Sequence, residues 1–241
     1  EAERCLKCKK PLCQQGCPIH TPIPQITQLL LENRLMKAGE ILFANNPMSA
    51  VCSTVCNHEN QCEGHCVLGR KSSPIHFSSI ENFISDSYLD RMEVPKIEKN
   101  GKKVAVIGAG PAGLVVANQL NLKGYSVTLF DKDEAPGGLL RFGIPNFKLD
   151  KNVIDRRMKI LAAEGIRFEM GVEIDVNHLP EGFDAYCICT GTPAARDLSI
   201  PGRELKGIHF ALEMLAQQNR ILAGQTFPKD KLVNAKGKKV L

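Results

Sequence analysis

The sequence predicts a multidomain chain: an all-α, cysteine-rich N-terminal domain followed by an α/β domain with a parallel sheet. Three observations carry that expectation. Eight of the ten cysteines lie within residues 5–66. Between Pro24 and Tyr88 the apolar residues suit helices. Beyond residue 102 short apolar runs alternate with helical stretches, the order that builds parallel sheets through β-α-β crossovers.

Residues 1–22 are rich in cysteine and proline and show no period. Ile26, Leu29 and Leu30, then Leu35, Ile41 and Leu42, predict two short helices broken near Asn33 and ended by Asn45-Asn46-Pro47. After the second cysteine group, Phe77, Ile80, Ile84 and Tyr88 form the stripe of a longer helix. Ser73 is its expected N-cap and Pro74 lies in its first turn. Met92–Gly101, with Pro95 and mixed charge, reads as a linker. Strand Lys103–Gly108, helix Pro111–Lys123 and strand Ser126–Phe130 then make a β-α-β unit. A helix over Val153–Glu164, strands over Ile166–Met170 and Ala185–Cys189, and a helix over Ile208–Leu222 follow. Gly237-Lys238-Lys239-Val240-Leu241 repeats the Gly101-Lys102-Lys103-Val104-Ala105 that opens the first strand. On those five residues alone a basic tail is the plainer reading.

The 241 residues are 43% hydrophobic and 24% charged, with a net charge of +5 spread over both halves. No apolar run approaches the roughly 18 residues that span a membrane. The first four residues carry no apolar segment of a secretory signal. No clustered basic patch or motif points to nucleic acid. The expectation is a cytoplasmic chain with neither a membrane nor a nucleic-acid partner.

The first cysteine set is Cys5-x2-Cys8-x4-Cys13-x3-Cys17-Pro18, and the second is Cys52-x3-Cys56-x5-Cys62-x3-Cys66. Soft thiolates suit iron–sulfur clusters, each of which needs four donors, and a cysteine before proline often serves the second of two clusters. Zinc also takes four thiolates, but its ribbons favour paired C-x2-C knuckles, and only Cys5/Cys8 has that spacing. Disulfides are the third option and fit an oxidised, secreted protein. Spacing therefore favours clusters over zinc and disulfides. Cys187 and Cys189 alternate with apolar residues and read as core.

Gly108-Ala109-Gly110-Pro111-Ala112-Gly113 follows a strand and opens a helix, the setting that a dinucleotide fingerprint requires. Its glycines allow the tight turn, the approach of a pyrophosphate and close helix–strand packing. Asp131 closes the second strand, where a carboxylate accepts from a ribose hydroxyl. Pro136-Gly137-Gly138-Leu139 and Cys189-Thr190-Gly191-Thr192 are the two further places where the chain can approach the ligand, and they favour FAD.

Taken together these motifs resemble the small (beta) subunit family of NAD(P)H-dependent glutamate synthase. That family is related to the N-terminal half of dihydropyrimidine dehydrogenase and to the large subunit of NADH-dependent ferredoxin:NADP oxidoreductase. Ala2-Glu3-Arg4-Cys5-Leu6, Gly16-Cys17-Pro18-Ile19, Asn46-Pro47 and Pro136 to Pro145 carry the resemblance beside the cysteines and the fingerprint. It implies a helical, ferredoxin-like domain with two 4Fe–4S clusters over 1–92, a linker over 93–101, and the front portion of a Rossmann-type FAD domain over 102–236. Residues 237–241 become the start of a truncated NAD(P)H-binding domain. The implied ligands are Cys5, Cys8, Cys13 and Cys66 for one cluster and Cys17, Cys56, Cys62 and Glu81 for the other, with Cys52 spare. Toward FAD the resemblance places Gly108, Ala109, Gly110, Pro111, Ala112 and Gly113 on the pyrophosphate and Asp131 and Lys132 by the adenosine ribose. Gly138, Leu139 and Lys148 lie toward the flavin, the Ile174 backbone toward the adenine, and Thr190 and Gly191 line the site again. Asp131 stands where relatives usually carry Glu.

The implied activity is electron transfer between NAD(P)H, FAD and the clusters to a partner like the glutamate synthase large subunit. NAD(P)H binds only in the intact protein, and the fragment is expected to be inactive alone. No side chain is named as catalytic acid or base, because the cofactors carry the chemistry. The alternatives are a non-catalytic electron-wire or docking subunit, a ferredoxin:NADP or pyrimidine-reducing relative, and a zinc-stabilised adaptor beside a flavin fold.

Overall fold

The computed structural model describes residues 1–192 and 194–240. They divide into two compact units, Glu1–Ile97 with Asn152–Glu164, and Glu98–Lys151 with Gly165–Leu241. The first unit is therefore not continuous in sequence. It takes in a helix that chain order assigns to the α/β region.

In the first unit the helices are α1 (Leu12–Gly16), α2 (Ile23–Leu31), α3 (Leu35–Asn45), α4 (Ser49–Val55) and α5 (Phe77–Leu89). The break between α2 and α3 has a local cause. Asn33 adopts φ +58, the left-handed conformation that asparagine tolerates after a helix. Arg34 N then donates to Leu29 O and Asn33 N to Leu30 O, which satisfies the last carbonyls of α2. Ile26, Leu42 and Ile84, one from each of α2, α3 and α5, are fully buried at the centre of this unit.

Helix α5 begins later than its sequence suggests. Ser73 and Pro74 stay outside it, and His76 is the N-cap without a side-chain bond. The Arg4 guanidinium occupies Ser73 O and Pro74 O, and Glu1 accepts from His76 N. The helix end is served from a distance, by buried Glu63 accepting from Ser78 N at 2.9 Å.

The second unit carries a four-stranded parallel sheet in the order β3-β2-β1-β4, with β1 Lys103–Ile107, β2 Ser126–Asp131, β3 Arg167–Met170 and β4 Ala185–Ile188. Helix α6 (Pro111–Leu122) links β1 to β2 with Pro111 at its first turn. The one-turn α7 (Leu139–Phe142) follows the glycine pair. Helix α8 (Lys151–Ala163) runs almost wholly in the first unit, and α9 (Ala211–Leu222) returns to the second. Chain order reverses between β1 and β4, so the crevice at their C-terminal ends is where a doubly wound sheet takes its ligand. Gly237–Val240 form no strand, and Leu241 lies outside the described residues. No helix among the described residues is long and apolar enough to cross a membrane.

Candidate functional site

Two thiol groupings form in the first unit. Cys5, Cys8, Cys13 and Cys66 line one pocket, walled by Leu12, Pro24, Ile75 and Phe77 and shared at its edge by Cys62. Their side chains come from the turn after residues 2–4, from α1 and from the start of a 3₁₀ turn at Val67–Arg70. Burial pushes the Cys13 thiol up to about 11, and neighbouring Cys66, Cys5 and Cys8 push in the same direction. Thiols packed against each other in an apolar wall are costly to ionise alone, and a cationic cluster would relieve that cost.

The second grouping gathers around Glu81. Burial pushes the Cys62 thiol up to about 12, with Glu63, Cys17 and Glu81 adding to it. Burial also raises Cys56, with Glu81 and Cys17 adding to it. Cys17 Sγ lies 3.3 Å from Thr21 Oγ1, and Cys56 Sγ lies 3.3 Å from Gln61 Oε1. Glu81 is only 5% exposed. Ser49 donates to its Oε1 at 2.6 Å, and Ser85 hydrogen-bonds to Ser49 at 3.2 Å. Its Oε2 faces His58 Nε2 at 3.9 Å, and that nitrogen is buried without a hydrogen-bond partner. One carboxylate oxygen is thus fixed by Ser49, and the other faces His58. Cys52 also lies in this grouping, and burial raises it to about 11 although a hydrogen bond from the Asn46 side chain opposes the rise. All ten cysteines are unpaired. No three His, Cys, Asp or Glu side chains among the described residues converge on a single ion. The first donor set instead lines a pocket. Soft thiolates plus one buried carboxylate are a chemically suitable donor set for iron–sulfur clusters.

In the second unit a pocket opens at the β1/β4 switch. Gly108, Gly110, Pro111, Ala112, Asp131, Lys132, Gly138, Leu139, Thr190 and Gly191 line it, ten of the residues expected from sequence. Ile174 lines a neighbouring pocket that shares Gly108, Asp131, Lys132 and Thr190. Ala109 and Gly113 support the loop from behind. Ala109 N donates to Asp131 Oδ2 at 2.5 Å, so the carboxylate braces the fingerprint turn as well as facing the pocket. Gly108 has φ +109, and a Cβ there would come within 2.3 Å of Cys189 O. Gly138 has φ +50 and packs against the fingerprint: its Cβ would lie 2.8 Å from Gly110 Cα. The glycine pair therefore rests on the fingerprint loop. Lys148 is exposed and lines neither pocket. Sequence reasoning missed Asp133, Phe142, Ile188 and Leu212, which also line the pocket. Phe142 was visible inside the Leu139–Pro145 motif. Leu212 gave no local signal.

The fold and these sites define a chain with an iron–sulfur domain followed by a Rossmann-like nucleotide-binding domain. Residues 1–93 match the family of dihydropyrimidine dehydrogenase domain II, 4Fe-4S cluster, and residues 106–167 match the NAD(P)-binding Rossmann-like domain. The resemblance read from the motifs holds over the whole chain, which is homologous to glutamate synthase small chains at 35–39% identity. The small chain of glutamate synthase [NADPH] of Bacillus subtilis is 38% identical over all of this chain and 52% of its own length. Glutamate synthase [NADH] of Schizosaccharomyces pombe is 37% identical over all of this chain and 12% of its own. The chain spans about half the length of the small chains it matches. Among solved structures, Mycobacterium tuberculosis FprA aligns with 49% of this chain and 29% of its own at 24% identity and TM-score 0.45.

Proposed function

We propose that the chain is the cluster- and flavin-bearing part of an oxidoreductase like the glutamate synthase small chain, passing electrons from NAD(P)H to a large-subunit-like partner. The observation that supports this reading is that Cys5, Cys8, Cys13 and Cys66 line one pocket, with Cys62 also on its wall, while Cys56 and Cys62 lie near Cys17 and Glu81. Cys5, Cys8, Cys13 and Cys66 hold one 4Fe–4S cluster, and Cys17, Cys56, Cys62 and Glu81 hold the other. Leu12, Ile75 and Phe77 give the first set an apolar wall. Ser49 holds Glu81 in a single orientation.

In the second unit FAD is favoured over NAD(P) as the resident dinucleotide because the glycine pair lies against the fingerprint, with Thr190 and Gly191 opposite. When bound, FAD accepts hydride and the clusters relay single electrons. The fingerprint amides would meet the pyrophosphate and Asp131 and Lys132 the adenosine ribose, while Gly138 and Leu139 would let the ring approach. Lys148 is assigned to the flavin by resemblance alone. We assign residues 1–92 to the cluster domain, 93–101 to the linker and 102–236 to the FAD domain, and by resemblance 237–241 to the start of an NAD(P)H-binding domain. NAD(P)H oxidation then belongs to the intact, cytoplasmic protein.

The test is anaerobic purification followed by metal, sulfide and flavin analysis. Iron and sulfide in equal amounts with a flavin spectrum are expected. Stoichiometric zinc, or a chain with neither iron nor sulfide, refutes the reading.

A further inference from the structure

The wall of the dinucleotide pocket formed by Gly138, Leu139 and Phe142 belongs to a segment with little regular structure, residues 138–150. Backbone carbonyls in such a segment need partners from elsewhere. Two side chains outside the pocket supply them. The Lys151 ammonium donates to Leu140 O at 3.1 Å, Ile144 O at 2.7 Å and Leu149 O at 3.0 Å, which uses all three of its donors. The Asn219 amide donates to Phe142 O at 2.9 Å and Ile144 O at 3.0 Å. Ile144 O is therefore gripped from both sides. Asn219 is 7% exposed, on a helix otherwise half open to solvent, so its polar group is buried for these two carbonyls.

The next residue extends the same hold. Arg220 lies over the Phe142 ring at 4.3 Å and pairs with Asp133 at 2.9 Å and Glu134 at 3.0 Å. Phe142 and Asp133 both line the pocket, on the α7 segment and beyond β2 respectively. Helix α9 thus fixes two parts of the pocket wall without reaching into it through Asn219 or Arg220.

We propose that Lys151 and Asn219 clasp the 138–150 segment and are positioning residues for the flavin end of the dinucleotide, although neither lines its pocket. The inference rests on the FAD reading above. Losing the clasp frees Leu139 and Phe142 to move, while the fingerprint loop and Asp131 stay in place on β1 and β2. The flavin end should therefore suffer and the adenylate end should not.

The test compares the intact cofactor-stripped protein with its Lys151→Met, Lys151→Arg and Asn219→Leu variants, using FAD and ADP as separate probes. Lys151→Met and Asn219→Leu are expected to raise the FAD Kd by roughly tenfold, the size of one lost charged or doubly used hydrogen bond, and to leave ADP binding unchanged. Lys151→Arg should recover most of the FAD affinity. In the unliganded protein, tryptic cleavage at Arg141 and Lys148 should quicken in the same two variants. The clasp is overturned if FAD and ADP binding fall together, or if loop cleavage and FAD binding match the wild type. If the wild type takes up ADP but not FAD, the flavin reading fails, and the cleavage rates alone decide the clasp.

Discussion

Replacing Ser49 with Ala disturbs Glu81 without altering it. Ser49 and Ser85 are fully buried, and Glu81 is nearly so. The Ser49 hydroxyl donates to a carboxylate at 2.6 Å, and Ser85 hydrogen-bonds to that hydroxyl. A buried hydrogen bond to a charged acceptor contributes about 1.5–3 kcal/mol, and its loss also leaves Ser85 without its partner. Taking about 2 kcal/mol, the folded-to-unfolded ratio of the first unit falls roughly thirtyfold. For a unit of this size the melting midpoint drops by about 10 °C. If Glu81 is a cluster ligand, the freed carboxylate also changes its angle to the metal.

The assay is a melt of the cluster-loaded protein beside electron paramagnetic resonance of its reduced form. On the two-cluster proposal, one of two cluster signals should shift or broaden, while the other keeps its spectrum. Ser49→Thr, which retains the hydroxyl, should stay close to wild type. A Ser49→Ala protein with an unchanged midpoint and both signals intact refutes the argument.

Two further outcomes follow from burial. Arg157 is 4% exposed, donates to Pro47 O at 2.9 Å and pairs with buried Glu164, so Arg157→Ala should cost about 3–5 kcal/mol in chemical denaturation. Its neighbour Arg156 pairs with Asp86 and Asp90 near solvent, so Arg156→Ala should cost no more than about 1 kcal/mol, and equal losses would undo the distinction. Gly138→Ala forces a Cβ against Gly110 at a positive φ, a strain of about 1–3 kcal/mol, and on the proposed FAD reading should lower the flavin retained per chain; an unaltered flavin content speaks against the packing described.

The sheet was legible because its strands are apolar runs bounded by glycine and charge, and each was placed to within about a residue of its observed limits. The α2/α3 break was legible at Asn33 for the same kind of reason, a residue suited to φ > 0. Helix α4 was not, because its buried face includes Ser49 and Ser53, which mimic a polar loop in a pattern search. Those serines are buried because Glu81 and Asn82 lie across from them. Ser73 misled because Glu63, distant in sequence, serves the start of α5 instead. Glu81 itself came only from resemblance, yet a signal was present. Phe77, Ile80, Glu81 and Ile84 fall at i, i+3, i+4 and i+7, which puts a carboxylate on the buried stripe of α5.

Helix α8 shows why chain order is a poor guide to where the cluster-bearing unit ends. Its place between two sheet strands assigns it to the α/β region, and nothing in its own period says otherwise. Yet Val153 and Ile160 pack against the core built from α2, α3 and α5. Arg157 adds specificity to that apolar contact. It stacks near Phe43 and holds Pro47 O, in the turn whose Asn46 side chain bonds Cys52. A buried guanidinium is retained only where its donors are matched, so this contact fixes α8 against one turn rather than merely covering an oily face. The turn leads directly into α4 and hence to Ser49, the residue that holds Glu81. The second donor set is therefore braced by a helix encoded about seventy residues further along, beyond the dinucleotide fingerprint. Cutting the chain at the linker after residue 92 would leave all eight N-terminal cysteines in place and remove that brace.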